Sequence, residues 1–228
     1  MGRGISFILF FTTIISGQNY LANVYGFPMA KIQFKSNADS VILKFETIGL
    51  INTIWPAKNS YTTNFDTTHF GLISFKKKIK QDNLKQSILI ELKNKVLHYN
   101  NKTRDRSDST QTIFTMFARL NRQHQEILDT KWFEIDHEGK PMRGRFLWGE
   151  TETIKVGNTN ILCDHIRMDM EYINGSNGFL DRTDRLMHYA PDPDAVRQIW
   201  VERNGNRRII QISMTAYGFP FNFVIQNE

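Results

Sequence analysis

Apolar and polar residues alternate with a period of two along most of the chain. Lys31-Ile-Gln-Phe-Lys35 sets the pattern, Val41, Leu43 and Phe45 repeat it, and Ile88, Ile90 and Leu92 do the same against Glu91 and Lys93. It is clearest where Ile166, Met168, Met170 and Tyr172 fall on one face and His165, Arg167, Asp169 and Glu171 on the other. Successive side chains of a strand point to opposite sides, so this period predicts half-buried antiparallel strands. Ile210, Ile212 and Met214 make one further stripe, and Phe219, Phe221, Phe223 and Ile225 another.

Turn chemistry separates the runs. Arg203-Asn-Gly-Asn206 carries Asn-Gly, whose residues accept positive φ and mark a tight hairpin. Glu138-Gly139, Gly157-Asn158 and Asn174-Gly-Ser-Asn-Gly178 read as further turns. Short strands with turns at this spacing predict a mainly β fold, a strongly curved antiparallel meander or open barrel. One segment, about residues 108–124, breaks the pattern. Asp108 or Ser109 can cap a helix whose apolar face is Ile113, Phe114, Met116, Phe117 and Leu120, with Arg119, Arg122 and His124 toward its C-terminal end. That helix is expected to plug or cover the open sheet, with Phe114 and Phe117 as its deepest anchors. No internal repeat, low-complexity tract or long linker interrupts the chain.

The first residues follow a different rule. Arg3 precedes an apolar run from Ile5 to Ile15, broken by Ser6, Thr12 and Thr13, and small Ser16 and Gly17 come before polar Gln18 and Asn19. This is the layout of a secretory signal peptide, 1–17, cleaved between Gly17 and Gln18. The run is short of the roughly 20 apolar residues a spanning helix needs, so no membrane span is expected after its removal. Residues 18–228 then form a single exported, periplasmic β-rich domain.

Composition fits that picture. At 40% hydrophobic and 23% charged residues, the chain is of globular type, and a domain this long buries roughly 70% of its unfolded surface without disulfides. The lone Cys163 can form no internal bridge. Of 29 basic residues only Arg3 leaves with the signal, so 28 face 23 acidic ones. The excess suits approach to anionic lipid or polymer. The basic groups are spread and interrupted by acidic residues, and export argues against a nucleic-acid partner.

The candidate chemistry is thin. Cys163-Asp-His165 invites a nucleophile–base pair, but a thiolate needs an electropositive, accessible niche. Ser74-Phe-Lys-Lys77 has serine–lysine spacing, yet Lys76-Lys-Lys78 reads as a solvated basic turn. Asp192-Pro-Asp194 lacks the glycine and glutamate of a calcium loop and reads as a turn capping a short helix at Asp194–Val196. Glu150 and Glu152 could do acid–base work only if buried. Six scattered His and one Cys make no metal-ligand spacing. No catalytic residue, metal site or cofactor is expected.

Four segments in order resemble a bacterial family of exported proteins described as a domain of unknown function: Tyr25-Gly-Phe-Pro-Met-Ala30, Phe45-Glu-Thr-Ile-Gly-Leu50, Asp108 through Arg119, and Ile199-Trp200 through Arg208-Ile209. The resemblance spans about residues 20–225. It implies a periplasmic, strongly curved antiparallel sheet like those of lipoprotein carriers, and it brings no catalytic residues. The expected function is non-enzymatic: binding a lipid, acyl chain or peptide, or supporting envelope integrity, with an envelope protein as a candidate partner. The alternative is an envelope hydrolase whose site assembles from distant residues. The expected apolar lining is Phe114, Phe117, Ile166, Met168, Met170, Phe219, Phe221 and Phe223.

Overall fold

The computed structural model describes residues 16–173 and 177–226. The apolar run Ile5–Ile15 and residues 174–176 of the expected turn lie outside them. Within the described residues fourteen strands form one antiparallel sheet, curved but not closed. Its first half runs β1 (Ser16–Val24), β2 (Phe27–Ser36), β3 (Ser40–Thr47), β4 (Lys58–Phe65), β5 (Leu72–Gln81), β6 (Leu84–Lys93), β7 (Val96–Tyr99) and β8 (Lys102–Asp105). The second half comprises β9 (Phe133–His137), β10 (Lys140–Val156), β11 (Thr159–Tyr172), β12 (Val196–Glu202), β13 (Ile209–Ala216) and β14 (Phe219–Ile225). The halves join where β1 pairs with β14, Ala22 opposite Phe223, and β8 and β9 are the two edges.

Alternation sets the register. In β5 Phe75, Lys77 and Ile79 face inward and Lys76, Lys78 and Lys80 outward. In β11 Ile166, Met168 and Met170 face the core, as their spacing predicts. The open seam is stitched by the chain between β8 and β9. Gln111 exchanges backbone hydrogen bonds with β9 (to the Glu134 carbonyl and from the Asp136 amide, both 2.8 Å), and the Leu72 amide donates to the Thr110 carbonyl. Arg106 donates to the Asp136 carboxylate (2.8 Å) and to the Gly139 carbonyl (2.9 Å). An edge whose polar groups are engaged in this way is no template for another chain.

Four short helices complete the described structure: α1 (Gly49–Ile54), α2 (Ile113–Leu120), α3 (Gln125–Leu128) and α4 (Arg185–Tyr189). The expected helix over about 108–124 is therefore shorter than its pattern suggests. Asp108 and Ser109 do not cap it. Thr112 does, accepting from the Thr115 amide while the Thr115 hydroxyl oxygen accepts from the Thr112 amide. The preceding residues cannot be helical because they are paired with β9. α2 lies inside the sheet: Met116, Ala118 and Leu120 are buried, and the Phe114 ring meets Tyr61 at 5.3 Å and Phe75 at 5.9 Å. Phe117 is only half-buried, so the anchors are Phe114, Met116 and Leu120.

Two other expectations are corrected. Lys77 is not in a solvated turn but in β5, with no exposed surface. Asp192 and Asp194 start no helix: Asp192 accepts from the Asp194 amide (2.9 Å), and Val196 already begins β12.

Candidate ligand-binding site

Antiparallel pairing divides the connections between two ends of the sheet. At one end lie the turns after β2, β4, β6, β10 and β12, the first two of them beside the C-terminal end of α2. There Arg122 donates to the Ala38 carbonyl (2.7 Å), Arg119 to the His69 carbonyl, and the stacked pair Phe65–Phe70 receives Arg122 5.3 Å from the Phe65 ring. That end is closed. Burial pulls the Arg119 guanidinium down to about 10, against Asp66, which raises it.

The other end gathers the β1–β2, β3–β4, β5–β6 and β13–β14 connections with α1 and α4, and it is open. A cleft of about 910 Å³ lies there, inside the roughly 300–1,000 Å³ range of small-molecule sites. Phe27, Met29 and Phe45 form one wall, Leu50, Ile51, Ile54 and Trp55 of α1 and the residue after it a second, and Phe219, Phe221 and Phe223 of β14 a third. Leu186 and Tyr189 of α4 form its floor. Beyond Leu186, Met214 and Phe223, which border both spaces, a second void of about 90 Å³ reaches Phe114 and Phe117 of α2. An apolar void of this size stays dry.

Three polar side chains on the cleft wall are already engaged. Thr47 Oγ1 donates to Asn52 Oδ1 (3.0 Å) and accepts from the Ala57 amide (2.8 Å). Gln81 Oε1 accepts from Asn59 (3.4 Å), and Arg185 is paired with Asp82 (3.2 Å) and laid on the Trp55 ring at 4.4 Å. The cleft therefore presents hydrocarbon with few groups to orient a polar ligand.

A buried ionic cluster holds α4 in place. Lys77 Nζ donates to Glu138, to Thr183 Oγ1 (2.9 Å) and to Asp184 Oδ2 (3.0 Å), and the Tyr61 hydroxyl donates to Asp184 Oδ1 (2.5 Å). Asp184 also caps α4, accepting from the Met187 amide (3.2 Å). Burial, then the Asp184 charge, raises the Tyr61 hydroxyl well above its ordinary value, and burial pushes the Glu138 carboxyl up against the pull of Lys77.

Of the residues expected to line a cavity, Phe114, Phe117 and Phe223 meet at the inner void, and Phe219, Phe221 and Phe223 at the cleft. Ile166, Met168 and Met170 are core residues bordering neither. Sequence reading missed α1 and α4. The uncharged stretch Thr47–Ala57 was the available signal for α1.

The polar candidates separate. Ser74 and Lys77 lie on opposite sides of β5, so their spacing brings no pair together. Glu152 bridges His165 Nδ1 (2.8 Å) and Trp200 Nε1 (3.0 Å), with the two rings stacked at 4.6 Å, while Glu150 is exposed. Cys163 is fully buried, and burial, then Glu202 and Asp164, pushes its thiol up to about 11. Such a thiol is protonated and a poor nucleophile. Gly17 and Gln18 lie in β1 opposite Lys35 and Phe34. Among the described residues no cluster of three His, Cys, Asp or Glu could hold a metal, and no helix is long and apolar enough to cross a membrane.

No family model and no curated protein matches the chain. Among solved structures it is similar to a β-barrel-like protein of the domain of unknown function DUF1849 from Brucella abortus, at a TM-score of 0.58 and 10% identity, over 92% of this chain and 94% of that one. At that identity the likeness is one of fold.

Proposed function

We propose that this protein is a non-enzymatic carrier or sensor of an acyl chain, from a lipid or a lipidated peptide, working outside the cytoplasm of a bacterial cell. The cleft carries the reading: about 910 Å³, open at one end, walled by Phe, Leu, Ile, Met and Trp, with Thr47, Gln81 and Arg185 engaged by their protein neighbours. Hydrocarbon gains roughly 25 cal/mol for every Å² removed from water, so an unbranched chain suits such a surface without directional contacts. Export rests on the signal-like pattern of residues 1–17, and one exported domain of residues 18–228 goes with it.

The test is displacement of a fluorescent fatty acid from the purified protein, with native mass spectrometry of material taken from its own envelope. Ile51→Lys places a charge on the wall of the cleft in α1, a helix without buried residues, so the fold should survive and probe binding should fall at least about tenfold. Unchanged probe binding in that variant, or a wild-type protein that takes up no probe, would refute the reading.

A further inference from the structure

Two hairpin tips beside the cleft carry the same tetrapeptide, Tyr25-Gly-Phe-Pro28 between β1 and β2 and Tyr217-Gly-Phe-Pro220 between β13 and β14. A search for long-period repeats passes over so short a duplication. Pairing of β1 with β14 sets the tips side by side, where the Tyr25 hydroxyl donates to the Gly218 carbonyl (3.0 Å) and the Tyr25 and Phe219 rings meet edge to face at 6.4 Å. Both turns have positive φ at both central residues, 49° and 81° at Tyr25-Gly26, 51° and 77° at Tyr217-Gly218. These are type I′ turns, whose first position favours Asn, Asp or Gly. At the far end of the sheet Asn94-Lys95, positive at both residues, obeys the rule, and Glu138-Gly139, an exception, has its glutamate held by buried Lys77. The two tips instead hold a tyrosine there, twice, and leave it 62% and 64% exposed.

The rest of the rim is of the same kind. Phe27 is 76% and Leu50 83% exposed, with Ile54, Trp55 and Phe219 also open to solvent. Tyr20–Ala30, Thr47–Ala57 and Ser213–Gln226 contain no charged residue. Charges stand around them, beside α1 and α4: exposed Lys31, Lys58, Lys80, Lys85 and Arg182 with half-buried Arg185, against Glu46, Asp82, Asp181, Asp194 and buried Asp192, to which the Tyr217 hydroxyl donates. Aromatic and aliphatic tips in front of a collar richer in cations than anions match the depth profile of a bilayer surface, where Tyr and Trp sit at the headgroup level and Lys and Arg meet anionic phosphates.

We infer that the paired Tyr-Gly-Phe-Pro tips and α1 form a docking surface for a phospholipid bilayer, with the mouth of the cleft held against the membrane. The occupant is a bilayer rather than a folded protein because the apolar groups sit on separate projecting turns around an opening. A fluid interface closes over such tips and a flat protein face does not. The surface stands whether or not the cleft holds a ligand.

Flotation with vesicles of phosphatidylcholine, alone and mixed with phosphatidylglycerol, tests it on the full chain. The variants are Tyr25→Asn, which removes a ring set against the neighbouring tip, and Tyr25→Asn with Tyr217→Asn, which also removes one packed on His188 and Tyr189 of α4; Asn is at home in the left-handed conformation. The expected result is flotation of the wild type with both vesicles, more strongly with the anionic one, and about a tenfold or greater loss in the double variant. Tyr25→Asn alone should keep the melting temperature and fatty-acid uptake of the wild type, and the double variant, which gives up the Tyr217 contacts with α4, should remain folded with reduced flotation. Failure of the wild type to float overturns the inference, as does equal flotation of the double variant. So does binding to anionic vesicles alone that salt removes and the substitutions do not touch. Self-association abolished by the same substitutions would assign the tips to a second copy and also overturn it.

Discussion

Lys77 Nζ lies 3.0 Å from Asp184 Oδ2, joining residues 107 positions apart where neither side chain reaches water. Glu138 completes the site from the β9–β10 turn, in positive φ at 53°. A lysine at the end of a solvated basic run would need no such partners. This one ties β5 to the N-cap of α4, and α4 floors the cleft, so an ion pair in the core fixes the shape of the apolar site.

Removing the cation should therefore be severe. Lys77→Met leaves two buried carboxyl groups facing each other without a counter-charge, and breaking a buried pair from one side costs about 3–5 kcal/mol. Urea denaturation should show a loss in that range, and the uptake of a fatty-acid probe by the residual folded protein should fall as α4 loosens. A loss within 1 kcal/mol, in the range of an exposed pair, would mean that the cluster does not anchor the helix.

His137 gives the fold a pH dependence. Burial, then the charges of Lys140, Lys77 and His188, pushes its imidazole down to about 3, and its Nδ1 has no hydrogen-bond partner among the described residues. The unfolded chain binds this proton near 6.5, so between roughly 6.5 and 3 the unfolded state holds more protons than the folded one. The stability tied to neutral His137 is fully present above about 6.5 and is lost as pH falls, at up to about 1.4 kcal/mol per pH unit. Melting curves at pH 7 and pH 5 should differ in that direction, and His137→Gln should flatten the difference. A slope that survives the substitution intact would place its source elsewhere.

The sheet is readable in the sequence because half-burial writes itself as alternation, as in Ile166, Met168 and Met170 against Arg167 and Asp169. The helix within it is readable because Ile113, Phe114, Met116 and Leu120 return at helical spacing. Its start is not. Asp108 and Ser109 are good caps on local grounds, but pairing of Gln111 with β9, more than twenty residues on, forces an extended backbone there. Lys77 was legible in principle, since Phe75, Lys77 and Ile79 share one face of a period-two run; four lysines in five residues obscured it. The helical form of α1 could not be read, because six residues are too few to set a period; only the uncharged stretch Thr47–Ala57 marks its place. The twin turns escaped because a four-residue match carries no periodicity; only pairing of β1 with β14 makes the copies neighbours.

Cys163 should behave as a core residue. Its Sγ lies 3.5 Å from the Ile161 carbonyl, and its raised pKa keeps it a thiol at neutral pH. A thiol reagent should label it only after unfolding, and Cys163→Ser should leave fatty-acid uptake unchanged. Rapid labelling of the native protein, or loss of uptake with an intact fold, would return it to the list of functional groups.

The two phenylalanines of α2 separate the helix's two duties. Phe114 is buried against Tyr61 and Phe75, whereas Phe117 is half-buried and faces the inner void of about 90 Å³. Phe114→Ala removes a ring from a close-packed aromatic cluster and should cost about 3–5 kcal/mol, a large share of the stability of a domain. Phe117→Ala removes a ring that already borders empty space, so fewer contacts are lost and the cost should be smaller. It also enlarges the void beneath Leu186, Met214 and Phe223, and a longer acyl chain could then reach past that constriction. The expected outcome is a sharp fall in melting temperature for Phe114→Ala, a modest one for Phe117→Ala, and for the latter a shift of probe preference toward longer chains. Equal losses of stability would mean that both rings serve the plug alone. Unchanged chain-length preference would mean that ligand does not pass the constriction and that the cleft ends at Leu186.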